Sequence, residues 1–169
     1  MQSLSRTGVR LEKFGLQVSE EKTKVLKFGR QVWKQAQRRK EKVETFNFLG
    51  FTHYCGKSRQ GYFVIGHKTS KVNLSLKLKE TKEWLKKIRN KLRLKEWWPV
   101  LKSKLTGHYN YFGVSGNYRC LTKFYQSIFW MVFKWINRRS QKKSMNVDQY
   151  QNYLQWNPLP TPRICHAMY

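Results

Sequence analysis

Acidic side chains are the scarcest component of this 169-residue chain. Nine Asp and Glu stand against 35 Lys and Arg, giving a formal charge of +26, and Asp148 is the only aspartate. Two-metal phosphoryl transfer needs at least two carboxylates converging on ions about 4 Å apart. The glutamates, Glu12, Glu20, Glu21, Glu41, Glu44, Glu80, Glu83 and Glu96, sit instead among lysines, at spacings of solvated helix faces or turns. No self-contained nuclease or polymerase site is expected, and no metal or other cofactor. Cysteine is also short. Cys55, Cys120 and Cys165 are odd in number and far apart, with no C-x-x-C pair. That argues against a disulfide framework and a zinc knuckle, and fits three thiols in a reducing cytosol. No apolar run reaches the roughly 18 residues of a membrane span, and no short apolar segment follows the amino-terminal residues as in a signal peptide. The expected setting is soluble and cytoplasmic.

What the chain does have is rings and positive charge. Hydrophobic residues make up 40% and aromatics 15%, enough for a real core in one domain or two small ones. A charge of +26 exceeds what solubility requires, so a polyanionic partner is expected, with nucleic acid ahead of a membrane surface.

Periodicity then divides the chain. Leu4, Leu11 and Phe14 suggest a short amphipathic helix over residues 1–15, interrupted by Gly8. A turn follows at Ser19-Glu20-Glu21-Lys22, and residues 23–29 alternate as a strand does. Residues 30–43, rich in Arg and Lys with little periodic apolar content, read as an exposed basic loop. Residues 45–52 and 62–65 are aromatic and β-branched. The glycine-bearing residues 56–61 between them predict one β-hairpin with a basic tip, which must pack on helices or on a sheet supplied elsewhere.

From Ser70 the period becomes helical. Leu74, Leu78, Thr81, Leu85, Ile88 and Leu92 form an apolar stripe. Lys79, Lys82, Lys86, Arg89 and Arg93 gather about a quarter turn away, a charge segregation able to track a phosphate backbone, and Lys71 is a further candidate RNA contact. A second helix is predicted from Trp98, with Pro99 in its first turn and Leu101, Leu105, Tyr109 and Phe112 on one side. Trp97 and Trp98 fit a hydrophobic staple at its start better than a base platform.

Asn117 is a candidate N-cap for a third helix with an apolar face of Leu121, Phe124, Tyr125, Ile128, Val132 and Trp135. Arg119, Lys123, Lys134 and Arg138 form its basic row, continued by Arg139, Lys142 and Lys143. The Arg138-Arg139 pair either satisfies the helix dipole or, with Lys142 and Lys143, contacts RNA. A short helix over residues 147–156 precedes an extended stretch set by Pro158, Pro160 and Pro162, which reads as a connection to a further domain.

Between Gly107 and Gly113 lies the densest ring motif, His108-Tyr109-Asn110-Tyr111-Phe112. Catalysis at His108 would need an oriented carboxylate or a nucleophile, and the motif offers neither. Helical spacing puts Tyr109 and Phe112 on the core face, and leaves His108 and Tyr111 as candidates for stacking on RNA bases.

Several motifs occur in order: Phe14-Gly15-Leu16, Glu21-Lys22-Thr23-Lys24, Phe46-Asn47-Phe48-Leu49-Gly50-Phe51, the motif from Gly107 to Gly113, Phe133-Lys134-Trp135-Ile136-Asn137-Arg138-Arg139-Ser140-Gln141, and Pro158-Leu159-Pro160-Thr161-Pro162-Arg163-Ile164. Together they resemble the carboxy-terminal part of group II intron-encoded reverse transcriptases, the maturases, over nearly the whole chain. The resemblance implies an α+β protein. Residues 1–67 would be a palm remnant with a β-hairpin, 68–143 a three-helix thumb or maturase domain X, and 144–169 a short extension. It further implies a bacterial RNA-binding protein that clamps a structured group II intron-like RNA and stabilises its active fold for splicing, as part of a ribonucleoprotein. The family's YADD-type catalytic motif would fall upstream of Met1, so no polymerase activity is expected of this chain alone. The alternative is the thumb subunit of a split reverse transcriptase, completed by a separate catalytic chain.

Overall fold

The computed structural model describes residues 13–15, 23–138 and 144–167. Apart from a turn at 13–15, the amino-terminal helix expected over residues 1–15 lies outside the described residues, as does the turn at 19–22. The chain divides into two compact units, residues 1–44 and 45–169.

The first unit overturns two expectations. Residues 23–28 form no strand. Their alternation is real, but Val25 is exposed and the Lys27 N–H donates to the Glu44 carboxylate at 3.1 Å, so a side chain takes a hydrogen bond that a ladder would use. Residues 30–39, expected as a loop, are a helix, α1 (Arg30–Arg39). Arg, Gln, Lys and Ala are good helix formers whatever their polarity, and a narrow seam of Val32, Trp33 and Ala36 is all that this helix turns from solvent. Lys40, left-handed at φ 55°, stops it by returning its N–H to the last carbonyls.

In the second unit the architecture is α+β, a three-stranded antiparallel sheet followed by helices. The strands are β1 (Phe46–Phe48), β2 (Phe51–Lys57) and β3 (Phe63–Thr69), in the order β1-β2-β3. The expected long strand over residues 45–52 is thus itself a hairpin. Leu49 and Gly50 both have positive φ, 47° and 83°, as a two-residue turn between twisted antiparallel strands requires. Thr52 donates to Asn47 across that hairpin at 2.6 Å. The second hairpin closes between Ser58 and Tyr62, with Lys57 and Arg59 exposed as the expected basic tip. Where Gly66 leaves a gap in β3, the ring of its cross-strand partner Tyr54 lies over it.

The sheet passes directly into α2 (Lys71–Ile88), which Ser70 caps: its hydroxyl accepts the Asn73 N–H at 3.3 Å. The next helix, α3 (Leu94–Phe112), begins four residues before the expected Trp98. Its start is fixed by Glu96, whose carboxylate accepts the Arg93 N–H at 2.6 Å. Trp97 and Trp98 therefore lie inside the helix and are buried, Trp97 edge-on to Trp84 and Trp98 donating to the Asn157 carbonyl. They are core residues rather than a staple.

Two more helices complete the unit, α4 (Tyr118–Asn137) and α5 (Val147–Trp156). The core joins Leu85 of α2, Leu101, Leu105, Tyr109 and Phe112 of α3, and the apolar face of α4. Buried Tyr150 brings in α5. The proline-bearing tail is extended, as expected, yet it turns back: Leu159 is buried, and the N–H groups of Cys165 and His166 both donate to the Gly113 carbonyl, at 2.7 and 2.9 Å. Gly113 must lack a side chain, because a Cβ there would run into the Tyr109 carbonyl and come within 2.8 Å of the Arg163 carbonyl.

Asn117 differs from expectation in role. It precedes α4 but its side chain caps nothing. Completely buried, it accepts the Thr69 N–H at 2.8 Å and donates to the Thr69 hydroxyl at 2.8 Å and the Phe112 carbonyl at 2.7 Å. One amide thus joins the end of β3, the end of α3 and the start of α4.

Candidate nucleic-acid interface

The two basic rows read from the sequence meet. Helix α2 packs along α4, and Lys82 from the first lines the same groove as Lys134 and Arg138 from the second. Ser127, Trp130, Met131 and Trp135 complete the lining, with no carboxylate. Trp130 is a site residue that the helical periodicity did not single out. It stands 55% exposed, four residues before Lys134 on the basic side of α4. A tryptophan lying off the apolar stripe and in step with lysines was the available signal. The arrangement offers an indole face for stacking and three cations for phosphate oxygens, which suits an unpaired base beside a folded RNA strand.

Deeper in the same seam, Trp135 carries two guanidinium groups. Arg89 from α2 lies 4.7 Å from its ring centroid and Arg138 from α4 lies 5.2 Å away. Arg89 is half-buried, and its Nε is enclosed without a hydrogen-bond partner. It fastens α2 to α4 and is withdrawn from the set of expected phosphate contacts. Arg93 also leaves the row, because α2 ends at Ile88 and Arg93 instead heads α3. Lys71, Lys79 and Lys86 remain exposed on α2, and Arg119 and Lys123 on α4. With a rise of about 1.5 Å per residue, the α4 row from Arg119 to Arg138 runs about 28 Å. Arg139, Lys142 and Lys143 lie outside the described residues.

His108 is not on the exposed face of α3. It is buried, its ring stacked on Phe124 with centroids 3.8 Å apart and planes 17° apart. Burial, reinforced by the nearby Lys77 ammonium, lowers its pKa to about 4, so the imidazole is neutral at pH 7. It is buried because position 108 borders the Tyr109–Phe112 stripe, and α4 closes over it. Tyr111 is more than half exposed, but its hydroxyl donates to the Leu49 carbonyl at 3.1 Å and its ring runs parallel to Phe51. It anchors the β1–β2 turn and keeps only part of its surface for a ligand.

Positive charge is largely unopposed. Lys24–Glu44 and Lys77–Glu80 are ion-paired, neither in the groove. Among the same residues no group of three or more His, Cys, Asp and Glu is placed to hold a metal ion, and no helix is long and apolar enough to cross a membrane. Comparisons with protein-family models, curated proteins and solved structures return no match.

Proposed function

We propose that the protein binds structured RNA along the α2–α4 seam and, in the manner of a maturase thumb, holds a group II intron-like RNA in its active fold. The RNA supplies the chemistry, and this chain alone has no polymerase activity. One observation carries the reading: Lys82, Lys134 and Arg138, brought together from two helices around the half-exposed ring of Trp130, in a groove without a carboxylate. The sequence motifs that resemble maturases support the choice of RNA.

Binding of a folded group II intron domain, titrated against salt, tests it. Each phosphate contact contributes a slope of about 0.7–0.9 in log K against log salt. Replacing Lys82, Lys134 and Arg138 by Gln is expected to flatten the slope by about 2–3. Trp130→Ala should weaken binding by about 1–3 kcal/mol with the slope unchanged, since it removes a stack and no charge. A wild-type slope near zero, or equal affinity for a short random duplex, would refute recognition of a structured RNA.

A further inference from the structure

On the flank of α2 away from the groove lies a cavity of about 660 Å³, between α2 and α3 and against α4. Its volume falls within the range of small-molecule sites. Its inner wall is apolar and ring-rich, with buried Leu101, Leu105, Phe112, Phe124 and Ile128. The exception is His108, which is buried to 9% exposure and holds its Nε2 enclosed without a hydrogen-bond partner. Because that ring is neutral at pH 7, it exchanges single hydrogen bonds rather than presenting a charge. Exposed Leu49, Gly107 and Tyr111 lie at the outer side, with two ammonium groups, Lys77 and Lys104. Lys77 is paired with Glu80 at 2.8 Å. Lys104 makes no ion pair among the described residues and lies 5.2 Å from the centroid of the Trp84 ring.

A largely apolar, ring-walled slot lined also by the neutral His108, by Asn73 and Thr81, by the Lys77–Glu80 pair and by the unpaired cation Lys104 fits a flat heterocycle bearing an anion. A lipid chain would use none of the polar lining groups, and a simple anion would leave the apolar wall unused. We infer that this cavity receives the base of a nucleotide, stacked beside His108 and Phe124, with its phosphate at Lys104. The source would be an unpaired nucleotide of the bound RNA, or a free nucleotide of the same chemistry. The first source rests on the RNA reading above, and the second does not.

Gly107 allows a clean test. It is exposed on α3 beside the cavity, and a Cβ added there meets nothing within 4 Å, so Gly107→Phe can grow over the opening without displacing the core. Gly107→Ala controls for helix propensity, and Lys104→Gln is a second, exposed variant. Three probes are used: an RNA stem with one bulged adenosine, the same stem with an abasic bulge, and the fully paired stem. Wild type and Gly107→Ala are expected to bind the adenosine bulge about tenfold more tightly than the abasic one, within the range for a stacked base. Gly107→Phe should abolish that preference and Lys104→Gln should reduce it severalfold, with binding of the paired stem unchanged because the groove lies on the other flank of α2.

In a separate arm, AMP is titrated while the His108 and Tyr111 ring resonances are followed by NMR. Shifts there without any bulge preference identify free nucleotide as the source. A bulge preference that survives Gly107→Phe, or the absence of both the preference and the AMP shifts, overturns the inference. Loss of salt-dependent binding to all three RNAs would instead sink the RNA reading and leave the AMP arm standing as the test of the cavity.

Discussion

Asn117→Asp is expected to lower the unfolding free energy by about 4 kcal/mol, read from urea midpoints of the two proteins. Asp and Asn are nearly interchangeable at the N-cap of a helix, so a capping role would predict a change of a few tenths. The structure gives the amide a different task. Its Nδ2 donates both hydrogens, to the Thr69 hydroxyl and the Phe112 carbonyl, in a site with no solvent exposure. A carboxylate keeps the acceptor for the Thr69 N–H but turns an oxygen toward the Phe112 carbonyl and buries a charge. Asn117→Ser removes reach as well as the donors and is expected to cost about 2–3 kcal/mol. A result within 0.5 kcal/mol for Asn117→Asp would show that the three-way tie contributes nothing.

Acid should destabilise the protein through His108. The group titrates at its ordinary value of 6.5 when unfolded and at about 4 in the fold, because burial and Lys77 both oppose its charging. The unfolded chain therefore binds the proton first. The stability that the neutral ring provides is complete above pH 6.5 and is lost progressively as pH falls toward 4. At about 1.4 kcal/mol per unit the loss amounts to about 3 kcal/mol. His67, lowered by burial and by His53, acts in the same direction. The measurement is unfolding free energy against pH for wild type and His108→Phe, a variant that keeps a ring against Phe124. The gap between the two curves should change by about 3 kcal/mol between pH 7 and 4. Parallel curves would mean that His108 is protonated without penalty.

Much of the helical part is legible in the amino-acid sequence, and for identifiable reasons. The onset of α2 at Ser70 and its Leu74–Leu78–Leu85 stripe, the apolar face of α4 and the extent of α5 are local patterns, and the contacts that stabilise them repeat every three or four residues. Failures come where local pattern and tertiary demand diverge. Residues 23–28 alternate as a strand does, yet they are not one, because a strand exists only by pairing. Helix α1 is hidden because its propensity resides mainly in Arg, Gln and Lys, and its apolar seam is limited to Val32, Trp33 and Ala36. The turn at Leu49-Gly50 splits an apparently continuous strand, with a leucine at one of its two positive-φ positions.

The candidate site divides in the same way. Charge segregation on α2 and α4 is visible residue by residue, but the meeting of Lys82 with Lys134 and Arg138 depends on how the two helices pack. Arg89 and His108 depart from expectation for a related cause. Both border an apolar stripe, where a small rotation decides between core and surface, and only the neighbouring helix settles it. Trp130 shows the converse, a large apolar ring left outside because the basic side of α4 carries it outward.

The paired guanidinium groups on Trp135 bear on how the protein tolerates salt. A chain of charge +26 repels itself, and Arg89 and Arg138 crowd two of those charges onto one indole at the junction of α2 and α4. Added electrolyte screens that repulsion while leaving the cation–ring attraction, at distances near 5 Å, largely in place. The same electrolyte would displace a polyanion held in the groove as proposed above. Counterions and ligand should thus act as substitutes: dilute buffer makes the free protein dependent on a bound polyanion, and concentrated salt lets it stand without one.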